Sequence, residues 1–115
     1  MAALVCAALA LSACTPSGAT CPPDSSLTYE NFGGDFFSKY CTRCHSATLT
    51  GEARHSAPTG RNYDTREEVQ ADIGEIDEEA AAGPNSVNTG MPKDAPFPTD
   101  DERRMLGEWL ACGAK

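Results

Sequence analysis

Cys41-Thr42-Arg43-Cys44-His45 (CTRCH) is the stretch on which the reading of this chain turns. Its two thiols are three residues apart, and an imidazole follows the second directly. On a helical turn that spacing puts both sulfurs on one side, where they can add to the two vinyl groups of a single porphyrin. The adjacent His then points its ring at the iron from one face. C-x-x-C-H is therefore the attachment signal of a c-type haem. Zinc would require four ligands in matched pairs, and a redox dithiol would sit in a thioredoxin-like βαβ setting, of which the sequence has no sign. The expected cofactor is one haem c per chain, bonded to Cys41 and Cys44, with His45 on the iron.

Upstream of the motif, Tyr29 to Tyr40 places Phe32, Phe36, Phe37 and Tyr40 on one face of a helix. Gly33 and Gly34 interrupt that helix and weaken it against Ala, which suggests close packing of another backbone. Downstream, Thr65-Arg66-Glu67-Glu68 reads as a capping box. Val69, Ile73, Ile76 and Ala80 follow on one stripe, and Gly83-Pro84 is the expected stop. Glu67, Asp72, Glu75, Glu78 and Glu79 occupy the other face as a solvated run. A second capping box, Thr99-Asp100-Asp101-Glu102, opens the last helix, with Met105, Leu106, Trp109 and Leu110 facing inward. No stretch alternates apolar and polar residues as a strand would, so the fold class is all-α, with three main helices and long loops. Residues 46–64 and 84–98 have no regular pattern, and the second holds four prolines and a single Met. Loops of this length in a small domain are usually functional or disordered.

With those elements in place, the chain resembles the class I cytochromes c. The family's first helix carries G-x3-F-x3-C-x2-C-H, matched here by Gly33, Phe37, Cys41, Cys44 and His45. Its last helix packs a Leu, and an aromatic three residues later, against that Gly and Phe; Leu106 and Trp109 fit. The resemblance spans residues 29–113 and implies a cytochrome c-like fold wrapped around one covalent haem. The family draws its sixth iron ligand, a Met, from a late loop and very often follows it with Pro. Met91-Pro92 occupies that place, and a Met in a polar, Pro-rich loop has little packing reason to be there. The resemblance thus implies His45/Met91 axial ligation. His55, ten residues past His45, is the competing ligand, or else a surface or propionate-contacting residue. Pro58 is the candidate for the carbonyl that takes the His45 Nδ1–H, as a Pro at similar distance does in the family. Arg54 and Arg61 are candidates to pair with the haem propionates, since Arg suits carboxylates; the alternative is that both are ordinary solvated charges.

The chain begins MAALVCAALALSAC, in which only Ser12 is not apolar. That run fits the apolar core of a secretory signal. Leu11-Ser12-Ala13-Cys14 resembles the lipobox of bacterial lipoproteins, whose Cys is acylated and becomes the first mature residue. Residues 1–13 are then a signal peptide, 14–27 a lipid-anchored tether and 28–115 the cytochrome c domain. A signal cleaved after Ala8-Leu9-Ala10 is the alternative. Thr15 to Ser26, rich in Pro, Ser, Thr and Gly, reads as an extended linker. Localisation follows as periplasmic and membrane-tethered, with Thr15 rather than Asp after the lipid Cys pointing to the outer membrane.

Six cysteines sort under this reading. Cys6 leaves with the signal, Cys14 takes lipid, and Cys41 and Cys44 take haem. Cys21 and Cys112 remain, and two spare thiols in an oxidising compartment should pair. That staple answers a deficit in composition. Beyond residue 13 the chain holds twelve Leu, Ile, Val or Phe among 102 residues, below the roughly 20% under which a highly charged chain is expected to be disordered. Haem and disulfide together would supply what the apolar residues do not.

A net charge of −8 with no basic cluster argues against nucleic-acid binding. It implies a redox partner with a basic docking surface. The expected function is electron transfer by a periplasmic monohaem protein, not enzymatic turnover. The alternative is a haem-c enzyme or ligand sensor, peroxidase-like or gas-binding, with an open or weakly held sixth site and His55 as the candidate acid/base. A third reading has no haem at all and leaves a disulfide-stapled lipoprotein that binds partners.

Overall fold

The computed structural model describes residues 15–115; the leader reading and the lipid site at Cys14 lie outside the described residues. Thr28 opens the first helical segment. Its hydroxyl accepts from the Asn31 N–H, and Asn31 Oδ1 accepts from the Thr28 N–H in return. A π-helical turn, Tyr29–Gly33, closed by Gly33 N–H to Thr28 O, runs directly into α1, Gly34–Tyr40. Phe32, Phe36, Phe37 and Tyr40 are all buried, as their spacing requires.

The last helix, α4 (Asp100–Ala111), starts at Thr99 with both halves of its capping box formed. Leu106, Trp109 and Leu110 lie on its buried face. The Trp109 ring centroid stands 6.1 Å from those of Phe32 and Phe37. A Cβ on Gly33 would stand 2.5 Å from the indole ring. The close approach that Gly33 permits is therefore to an aromatic ring, not to another backbone, and Gly34 faces Tyr29 of its own segment. Neither the indole nor the helix can yield cheaply. Gly33→Ala is expected to lower stability by about 1–3 kcal/mol from overpacking, despite the better helix propensity of Ala. A urea titration checks this, and unchanged or higher stability would refute the packing argument. Met105 departs from expectation: it is 40% exposed, and Arg103 takes the inward place at the start of the stripe.

The helix expected from Thr65 to Ala80 is two helices, α2 (Arg66–Gln70) and α3 (Ile73–Ala80). The break falls at Asp72, whose φ of −133° is not helical. Its carboxylate accepts from the Tyr63 hydroxyl and holds the Arg61 guanidinium, so it is pulled out of helical register and leaves the start of α3 without a side-chain cap. At Thr65 only half of the capping box forms. The hydroxyl accepts from Glu68 N–H, but the Glu68 carboxylate takes the hydroxyl rather than the backbone N–H. Helix α3 stops three residues before Gly83-Pro84, because Ala82 N–H turns to Arg103 O and Ala82 pairs with Val87 in an isolated bridge. Val69, Ile76 and Ala80 are buried, with Ile73 partly so. The acidic face is not uniformly solvated: Glu67 and Glu78 are exposed, but Asp72 and Glu75 hold Arg61.

Residues 15–27 differ most from expectation. In place of a free linker they form a strap packed on the domain. Thr15 and Ser17 are buried, and Asp77, itself 0% exposed, accepts from the Ser17 N–H at 2.6 Å and from its hydroxyl at 2.7 Å. Ser17 O accepts from Asn85 N–H, and Ser25 donates to Glu108. Cys21 and Cys112 stand at disulfide distance, with their Cα atoms 4.8 Å apart. Among the described residues there is no strand, so the class is all-α, and no helix is long and apolar enough to cross a membrane.

Candidate cofactor cavity

Helix α1 delivers the motif. Cys41 N–H still bonds Phe37 O, and Cys44 and His45 N–H both bond Cys41 O, so C-x-x-C-H forms one irregular turn after the helix. Cys41, Cys44 and His45 line a cavity of about 420 Å³. Met91 and Pro92, from the 84–98 loop, line the same cavity, with Phe37, Ile76 and Ala80 among its apolar walls. A mostly apolar hollow of this volume falls within the range of cofactor sites.

His45 is oriented from behind. Its Nδ1 lies 3.0 Å from Arg61 O, and a carbonyl only accepts, so Nδ1 carries the proton and Nε2 the lone pair. Tyr63 packs its ring 5.2 Å from the imidazole and bonds its N–H to His45 O. Burial lowers the His45 pKa, which favours the neutral, ligating form. The carbonyl that serves His45 thus belongs to Arg61, not to Pro58. Pro58 O is taken by Arg54 Nη2 at 2.6 Å. Arg54 is buried and donates to the carbonyls of Ser46, Ala57, Pro58 and Arg61. It shapes the 46–61 loop, which accounts for its guanidinium without a propionate. Arg61 lines the cavity, but its guanidinium is shared between Asp72 at 3.5 Å and Glu75 at 3.2 Å. His55 lies at the exposed rim of the cavity with left-handed backbone, φ 49°.

Burial pushes the Cys41 thiol up to about 12. A redox-active dithiol needs the opposite, a thiolate stabilised near neutral pH. Among the described residues, no three His, Cys, Asp or Glu side chains gather into a site for a bare metal ion. Two thiols, one imidazole nitrogen and one thioether on the wall of a single apolar cavity do fit a covalently attached haem.

Met91 is held by its backbone: its N–H donates to Glu79 O at 2.8 Å, and its carbonyl accepts from Arg103 Nη1 at 2.9 Å. Arg43, in the middle of the motif, donates to the carbonyls of Asp94, Ala95 and Pro96, which latches the C-x-x-C-H turn to the Met91 loop. Sequence reasoning passed over Arg43, Tyr63, Asp77 and Arg103. For Arg103 a signal exists, since the Leu106–Leu110 stripe continued toward the helix start reaches it three residues before Leu106. The partners of Asp77 and Tyr63 lie in other elements, and local pattern carries no sign of them.

Comparison with protein-family models, with curated proteins and with solved structures finds no match to this chain.

Proposed function

We propose that this chain is an electron-transfer protein of cytochrome c-like fold, holding one haem c through Cys41 and Cys44 with His45 and Met91 as axial ligands. The observation that carries this reading is that Cys41, Cys44 and His45 line one apolar cavity with Met91, although a stretch of more than forty residues separates them in sequence. When bound, the haem supplies a one-electron iron couple. The chain's own residues do the rest. The carbonyl of Arg61 fixes the His45 ring with Nε2 toward the site, and Met91 offers a soft thioether from a loop pinned at both its N–H and its C=O. Phe37, Ile76 and Ala80 supply apolar wall against which a porphyrin face can pack. A site closed by two protein ligands leaves no open position for substrate, as suits a carrier rather than an enzyme. The net charge of −8 fits a partner with a basic docking surface. Periplasmic export and a lipid anchor at Cys14 belong to the same proposal.

A second reading has one specific observation in its favour: His55 lines the same cavity. A haem-c enzyme or ligand sensor would use it as distal acid/base or as the sixth ligand. Absorption spectra of the periplasmically matured protein, ferric and ferrous, separate the two. The carrier reading expects the weak far-red Met-to-iron band, its loss in Met91→Ala, and slow ferrous CO uptake that becomes fast in the variant. Covalent haem with no such band, or CO uptake that is already fast before Met91 is changed, would overturn it in favour of the open-site reading. A colourless product from a host able to attach haem would overturn both.

A further inference from the structure

Arg103 is 3% exposed, and its cation has no carboxylate within ion-pair distance among the described residues. A buried guanidinium without a counter-charge is a poor source of stability, so its position needs another account. All three of its protein acceptors are carbonyls, and all lie along one excursion of the chain. Nη1 donates to Ala80 O at 3.0 Å, Asn88 O at 2.9 Å and Met91 O at 2.9 Å. Ala80 ends α3, Asn88 lies midway along the following loop, and Met91 is the residue that loop brings to the cavity. Arg103 O accepts from Ala82 N–H in the same excursion. One side chain on α4 thus gathers both ends of the segment that delivers Met91. Charge-assisted bonds of this kind are about twice as strong as neutral ones.

We infer that Arg103 is the positioning residue that holds Met91 at the cavity wall, so that the sixth iron position stays closed. The inference rests on the haem reading above. Arg103 touches the Met91 backbone and acts through it; it does not itself reach the iron. Loss of its bonds leaves the Ala80, Asn88 and Met91 carbonyls without this donor and lets the loop open, while Cys41, Cys44 and His45 stay in place.

The test uses the full-length, periplasmically matured protein and its Arg103→Leu and Arg103→Lys variants, with the Cys21→Ser/Cys112→Ser double variant as a destabilised control that leaves the cavity lining unchanged. Covalent haem content, the far-red band and the rate of ferrous CO uptake are measured on each. Arg103→Leu is expected to retain covalent haem, to lose or weaken the band, and to take up CO about tenfold faster or more, the factor that one lost charge-assisted hydrogen bond implies. Arg103→Lys, which keeps the charge and three donors, should fall between the two and serves alone if Arg103→Leu does not fold. The Cys21→Ser/Cys112→Ser variant should melt earlier and leave band and CO rate unchanged. If the Arg103 variants keep the band and the parental CO rate, the inference is overturned and the haem reading survives. Equal acceleration in the Cys21→Ser/Cys112→Ser variant would also overturn it, by making the effect one of general stability. If the parent protein lacks haem or a Met91-dependent band, the haem reading itself has failed, and the inference with it.

Discussion

Replacing Cys21 and Cys112 with Ser is expected to lower the stability of the protein by about 4–5 kcal/mol, the loop-closure entropy of a cross-link this long. The two residues are 91 apart in sequence, so the closed loop takes in nearly the whole described chain. An unfolded chain without that link explores far more conformations, while the folded state changes little. The loss should therefore show as a lower urea midpoint and a larger slope, because the unlinked denatured state exposes more surface. A midpoint within error of the parent would mean that the two thiols are not joined in the mature protein.

Asp77→Ala is expected to cost about 3 kcal/mol, since two charge-assisted bonds to the strap are lost and the Ser17 N–H stays buried without an acceptor. Both Asp77 oxygens are engaged, one on the Ser17 N–H and one on its hydroxyl, at 2.6 and 2.7 Å. Ser17→Ala removes only the second of these and should cost about 1–2 kcal/mol. The two changes share a partner, so the double variant should fall well short of the sum. Additive losses in a double-mutant cycle would show that Asp77 and Ser17 do not act on one another.

The C-x-x-C-H turn is visible in the sequence because its residues are contiguous, whereas the Arg61 carbonyl that orients His45 comes from sixteen positions away. The first helix is legible because Phe32, Phe36, Phe37 and Tyr40 keep a helical period. Where residues answer to partners far away in sequence, pattern alone misleads. Asp72 belongs to an unbroken helical stripe by period, yet Tyr63 and Arg61 draw its carboxylate away and split the helix. Thr15 to Ser26 has the composition of a linker, but Ser17 finds Asp77 60 positions along the chain and becomes core. Arg54 and Arg61 look alike as solvated cations. The structure buries the first among carbonyls and gives the second to Asp72 and Glu75. Met105 and Arg103 exchange roles for a related reason. They stand two positions apart on α4, about 200° around the helix, so only one of them can face in, and the carbonyls awaiting a donor beneath α4 favour the arginine.

The strap also decides where a pull on the front of the chain is felt. Tension applied at residue 15 meets the Asp77 bonds first and then the covalent link at Cys21, which passes it to the end of α4. Only residues 15–20 can pay out before that link tightens, a run of roughly 20 Å when fully drawn. The backbone beyond Cys21, through α1 and the turn that follows it, carries none of that tension along its own length. A pull on the front of the domain is thus carried first by α3, through Asp77, and then by the end of α4, through Cys112.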